Sequence, residues 1–420
     1  MYLINSFRFG GGAAPSDPDF TMLVKTDNAG TSASDQFTIP TTGTGYNYDV
    51  DWGDGTTSSG LTGSTTHTFP SAGNYVVKIS GDFPQIYFAN GGDRLKVLEV
   101  QNWGNIVWRT FYLAFWNCAN MNITANDTPD LSAITTSDFY YAFRQCNIQN
   151  SPKISDWDVS IINDFRSMFA FNSNFNENLN SWDTSAATTI SAMFSSCTNF
   201  NQPLNNWNTS NVSDMGSLFS SCTNFNQPLN NWNTSLVANF ADTFVACTNF
   251  NQPLNNWNVS SATNMSRMFD GAITFNQDIS GWNVSNVTTM YYMFNGATDF
   301  NQDLSSWDVS NCGTLQNMFT GTSFNYNIGN WQLKPTMSTN GLFAIFRNSG
   351  MSTANYTDTI VGWANYVFTN GAPLNLNMGG QNGMTFDTSR SGGANFATAG
   401  DARTYLTTTA GWTISSDTVI

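Results

Sequence analysis

The fourteen residues "CTNFNQPLNNWNTS" run from Cys197 to Ser210, again from Cys222 to Ser235, and once more, with one residue changed, from Cys247 to Ser260. The spacing is 25. Trp157, Trp182, Trp207, Trp232, Trp257, Trp282 and Trp307 keep it, and Trp331 follows after 24. Phe169 through Phe319 and Phe175 through Phe300 repeat with the same period. A fixed period of this size means stacked units, because one short unit cannot bury its apolar face alone. Each Trp, Phe and Leu is therefore expected to pack on its own copy.

Within a copy the pattern is V-x-x-M-x-x-M-F, a short polar link, then F-N-x-x-L-x-x-W. Val212, Met215, Leu218 and Phe219 follow helical spacing, which predicts a short helix or 3₁₀ turn. Pro203, Pro228 and Pro253 fall in one column, and proline donates no ladder bond, so a short strand is expected over "PLNNW". Asparagine tolerates the left-handed backbone of turns. In register, its amides can also bond along a column. Trp182 to Trp307 recur so regularly that most should pack inside.

The Phe-x-x-Cys motif followed by an apolar residue three later stands at Phe194, Cys197, Phe200 and at Phe219, Cys222, Phe225, and in part at Phe115–Cys118 and Phe143–Cys146. It resembles the repeats of BspA-type leucine-rich surface proteins. That resemblance covers about three quarters of the chain and implies an α/β leucine-rich-repeat-like solenoid over residues 91–349. The segment 350–420 resembles the C-terminal cap of such proteins, with Leu374, Leu376 and Met378 as a strand and 401–406 as a short helix. These copies are longer and richer in Asn and Trp than many relatives.

A second resemblance lies in Val50, Asp51, Trp52, Gly53, Asp54 and Gly55, then His67, Phe69, Gly73, Tyr75 and Val77. The pattern is similar to a PKD (polycystic kidney disease) domain, an immunoglobulin-like β-sandwich expected over 19–90. Such a module implies a spacer or binding unit. Asp49, Asp51 and Asp54 raise calcium, but their spacing does not fit the EF-hand loop. Turn-forming roles are expected for them, and a pairing role for His67, the single histidine. No cofactor is expected.

The chain has 29 acidic and 14 basic residues, a formal net charge of -15. Such a surface repels phosphate backbones and argues against nucleic acid. No apolar run is long enough for a membrane helix. The six cysteines include no CxxC pair, which argues against zinc. Five of them fall at one place in the copy, as packed, reduced thiols. Glycoside hydrolysis needs paired carboxylates. Asp183, Asp214, Asp242, Asp278, Asp303 and Asp308 mark no pair, so an enzyme is not expected. Sequons at Asn208, Asn211, Asn233, Asn258, Asn264, Asn283 and Asn286 read as incidental to Asn-rich turns.

Leu3, Ile4, Phe7 and Phe9 precede a Gly- and Pro-rich hinge at 10–18. An apolar tag on a flexible linker suits docking into a partner, and it is similar to leading segments of tailed-phage structural proteins. The start does not read as a secretory signal. The resulting expectation is a non-enzymatic virion surface protein, a fibre, spike or head decoration. It would be anchored to other virion proteins through residues 1–18 and attached to a host glycan or protein through the repeats. The alternative is a secreted bacterial adhesin of the BspA-like class. A homo-oligomer stays open. Tyr291, Tyr292 and Tyr326 break the repeat pattern and are the candidate recognition residues.

Overall fold

The computed structural model describes residues 17–134 and 138–420. The N-terminal part contains β1 (Phe20–Lys25), β2 (Gln36–Ile39), β3 (Asn47–Asp51), β4 (Thr57–Leu61), β5 (Thr65–Thr68) and β6 (Asn74–Asp82), followed by β7 (Val97–Asn102) and β8 (Asn122–Ile123). Six strands form one sheet in the order β4-β3-β6-β1-β7-β8, and β2 pairs with β5 in an antiparallel ribbon. β1 is antiparallel to both β6 and β7, whereas β8 joins β7 in parallel. Alternation explains β1: Phe20, Met22 and Val24 point inward and are fully buried. The arrangement is compatible with a β-sandwich, and its sheet runs past residue 90 into the first irregular copies.

The expected α/β leucine-rich-repeat-like solenoid with its C-terminal cap is corrected here. From 157 to 349 the described residues form turns and isolated bridges, with neither helix nor ladder strand. The described α-helices, α1 (Thr353–Asn370) and α2 (Ala399–Thr408), both lie after the copies. Strands β9 (Asn377–Met378), β10 (Thr385–Phe386), β11 (Thr413–Ile414) and β12 (Thr418–Val419) form two small parallel pairs there.

The backbone shows why the helical spacing misled. In one copy the amides of Met215, Ser217, Phe219 and Ser221 donate to the carbonyls of Asn239, Ala241, Thr243 and Val245 in the next copy. The intervening Leu218, Ser220 and Cys222 close back onto the residue three before. Ser217 and Ser221 take positive φ, and their equivalents in neighbouring copies do the same. A left-handed residue every four positions ends any helix. The run is thus a string of turns that hands every second amide to its neighbour. "PLNNW" is likewise a turn, closed by Trp207 N–H on the Leu204 carbonyl.

The copies stack in register, with parallel bridges joining Asp164, Thr189, Asp214, Asn239, Asn264 and Thr289. Phe194, Phe219, Phe244, Phe269 and Phe294 form a ring column with centroids 5.5–5.9 Å apart. Trp182 to Trp307 are buried beside it. The Trp232 indole N–H donates to the Leu204 carbonyl one copy back at 2.9 Å, and its equivalents repeat the bond. Asparagine builds the expected ladder: the amide of Asn226 donates to Asn201 Oδ1, and that of Asn251 to Asn226 Oδ1, at 3.0 Å. All six cysteines are free and buried. Cys197, Cys222 and Cys247 each donate to a Phe carbonyl one copy back. Burial pushes these thiols well above their usual range, which keeps them unreactive.

Gly271, Gly296 and Gly321 occupy the left-handed place that Ser221 and Ala246 hold earlier, at φ near 70°. A Cβ at Gly271 meets only ordinary contacts with Ala246. Gly271→Ser should therefore cost only about 1 kcal/mol, the left-handed penalty alone. A urea titration followed by tryptophan fluorescence checks this, and a cost several times larger would mean the column tolerates less than its own serines suggest.

Candidate functional site

One face of the stack is built by the turn residues between the buried columns. Successive amide bonds define its rows. Leu113 N–H reaches the Tyr140 carbonyl, Tyr141 reaches Arg166, and Ser167 reaches Ser191; the series continues through Gly216, Ala241, Ser266 and Tyr291 to Gln316. The first row therefore reads Tyr112, Tyr140, Arg166, Ser191, Gly216, Ala241, Ser266, Tyr291, with Tyr112, Arg166 and Tyr291 exposed, Gly216 buried and the rest half-buried. The adjoining row, whose amides make these bonds, includes Tyr141, Ser167, Ala192, Ser217, Asp242, Arg267 and Tyr292. A tyrosine pair thus stands at each end of a stretch of small side chains interrupted by Arg166, Asp242 and Arg267. The six steps from Tyr140 to Tyr291 span roughly 29 Å at about 4.8 Å per step.

The first end is the richer. Tyr112 and Tyr140 stack at 5.7 Å and 20°, and Tyr140 lies on Tyr141 at 4.0 Å and 18°. Trp116 meets Tyr141 edge-on at 5.0 Å, and its indole N–H donates to Gln145 Oε1. Arg144 sits 4.7 Å from the Tyr141 ring centroid and 4.3 Å from that of Phe171, which is 46% exposed. Arg166 covers Tyr140 at 4.9 Å while forking onto Asp164. The hydrogen bond with Tyr141, helped by burial, pushes the Tyr140 hydroxyl up to about 12, so it stays protonated. Burial lifts the neighbouring Asp138 carboxyl above its usual range. Such a cluster can stack on flat apolar faces and offer N–H and O–H donors beside them.

At the far end Tyr291 and Tyr292 lie 4.2 Å apart with a 51° tilt, and Tyr291 is 37% exposed. Between the ends, Arg267 pairs with Asp242 at 3.5 Å and with Asp270 at 3.0 Å. Tyr326 is elsewhere. It is half-buried, 6.0 Å from Phe324, where earlier copies carry Gln302 and Gln277. Leu3, Ile4, Phe7 and Phe9 lie outside the described residues. The irregular 26- and 28-residue gaps hid Tyr112, Trp116, Tyr140, Tyr141 and Arg144 from sequence reasoning. Aligning backward from Phe143 would have set Tyr140 and Tyr141 over Tyr291 and Tyr292.

The acids raised earlier are committed to local bonds. Asp49 Oδ1 accepts from the Gly60 amide and Asp51 Oδ1 from that of Gly53. Asp54 accepts from the Thr56 amide and hydroxyl and pairs with His67 Nε2 at 2.8 Å. Burial raises the Asp54 carboxyl, but these hydrogen bonds outweigh it and hold it below its usual value. The His67 ring stacks on Trp52 at 4.6 Å. Asp183, Asp214, Asp278, Asp303 and Asp308 each accept the amide two residues on, as turn residues do. Among the described residues no group of three potential ligands converges on a metal position, and no helix is long and apolar enough to cross a membrane.

Short copies stacked through Phe, Trp, Cys and Asn columns define a BspA-like repeat protein. The family described as Mycoplasma protein of unknown function, DUF285, matches residues 137–257 and again 238–356, together more than half of the chain, and the chain belongs to that family. No curated protein and no solved structure matches it.

Proposed function

We propose that this is a non-enzymatic surface protein of the BspA-like class, displayed on a bacterial cell, that attaches to glycans or proteins through the tyrosine-ended face. The family membership supports the class. The observation that carries the attachment surface is the register of Tyr140 and Tyr141 with Tyr291 and Tyr292 along one face of the stack. Exposed aromatic rings beside amides suit recognition by stacking and hydrogen bonding. In this reading the N-terminal sheet, PKD-like in its sequence, is a spacer.

A second reading places the same display on a tailed-phage particle. The apolar tag Leu3, Ile4, Phe7 and Phe9 before a Gly- and Pro-rich hinge favours it, since such a tag suits docking into another particle protein. Antibody labelling of intact cells against purified particles separates the two.

The attachment role is tested with the labelled full chain on intact cells. Combining Tyr140→Ala with Tyr291→Ala should weaken binding at least about tenfold, a loss of about 1.4 kcal/mol. Unchanged binding by a folded double variant would exclude this face.

A further inference from the structure

Among the described residues Arg144 has no side-chain partner of its own. Its guanidinium lies against Tyr141 and Phe171. Among the described residues it makes neither an ion pair nor a side-chain hydrogen bond. The chain has about twice as many acids as bases, and its other face arginines use them. Arg166 forks onto Asp164, and Arg267 lies between Asp242 and Asp270. Arg347, in the same row as Arg144, covers Phe343 but donates to the Gly380 carbonyl. Arg144 alone on this face keeps its whole fork of donors uncommitted. Two rings hold it in place, so little side-chain freedom is left to lose on binding.

That arrangement suits a planar anion. A guanidinium takes a carboxylate through two parallel N–H bonds. Next to it, Tyr112 and Tyr140 present stacked rings, and Tyr112 is 39% exposed. Flat apolar faces beside hydroxyl and amide donors match the face of a pyranose ring better than they match a peptide. We propose that this cluster binds a carboxylate-bearing glycan, with a uronate-type sugar against the exposed Tyr112 ring, which Tyr140 backs, and its carboxylate on Arg144. The inference rests on the attachment role above and names the ligand class for its first end.

The test is calorimetric titration of the full chain with three probes: an oligogalacturonate, the same oligosaccharide with its carboxyls reduced, and a glutamate-rich peptide of equal charge. The acidic sugar should bind at least about tenfold tighter than the reduced one. Arg144→Gln should bring the two within a factor of about three, while Tyr112→Ala should weaken both. Arg144→Lys keeps the charge without the fork and should lose most of the preference; it carries the test if Arg144→Gln does not fold. The proposal is overturned if the intact chain binds neither sugar, if it does not prefer the acid, if the preference survives Arg144→Gln, or if the peptide binds as tightly. Cell binding that persists without an acid preference would leave the attachment role standing and remove only this inference.

Discussion

Replacing Phe219 by alanine is expected to cost about 3–5 kcal/mol, the range for a buried phenylalanine removed from a core that cannot close up. The ring is fully buried. It stacks on Phe194 at 5.9 Å and Phe244 at 5.7 Å, and meets Phe225 at 4.0 Å and Trp232 at 6.2 Å. Those neighbours are held by their own bonds: Phe194 N–H to the Leu218 carbonyl, Phe244 N–H to that of Met268, and the Trp232 indole to that of Leu204. Collapse into the gap would break them, so the cavity persists. In a stack each copy touches only its neighbours, so one lost ring weakens two interfaces at once. Urea unfolding followed by far-ultraviolet circular dichroism should show the loss. Phe171→Ala is the contrast, since that ring is 46% exposed, and its cost should stay within about 0.5 kcal/mol. Equal effects from the two would mean that the ring columns do not carry the stack.

The same columns were legible from spacing alone, because packing like on like needs only a constant period. Trp232, Phe219, Cys222 and Asn226 each stand where a period of 25 puts them. The local backbone was not legible. Apolar residues at Val212, Met215, Leu218 and Phe219 satisfy helical spacing, yet two left-handed residues per copy turn the chain instead. Serine and alanine hold most of those places in the central copies and give no signal; only Gly271, Gly296 and Gly321 do, and glycine alone does not say which turn is made. The candidate face was half legible. Tyr291 and Tyr292 stand out against strict copies, whereas Tyr140 and Tyr141 sit where the period slips. Tyr326 broke the pattern equally well but fell in a row on another side, because pattern-breaking marks a substitution without marking its direction. Arg144 was invisible for a different reason: that it lacks a partner is a property of three-dimensional surroundings.

Asp93→Ala should loosen the loop before β2 from the six-stranded sheet by about 3–5 kcal/mol, the cost of stripping one partner from a buried charge network. Asp93 and Lys96 lie between β6 and β7, and neither side chain is exposed. Asp93 accepts the amides of Thr31, Ser32 and Thr38 and the Ser32 hydroxyl, at 2.6–3.0 Å. Lys96 Nζ donates to the carbonyls of Ser32, Ala33 and Gln36 and to the Ser32 hydroxyl. Together they fasten the loop before β2 to the start of β7, and a Cβ at Gly30 would strike the Asp93 carboxylate. Asp93→Asn should still lose about 1–3 kcal/mol. Both carboxylate oxygens accept main-chain amides, so either orientation of an asparagine sets its NH₂ against a donor. Burial raises the Asp93 carboxyl, but the Ser32 and Thr38 bonds and the Lys96 charge hold it below its ordinary value. Its contribution is therefore complete above the unfolded-state value near 3.9 and is lost as pH falls through the lower folded value. The acid arm of the stability profile of the intact chain should contain this share, and that of Asp93→Asn should not. Identical acid arms would mean that folding leaves the proton affinity of this carboxyl unchanged, so that its charge adds nothing to the network.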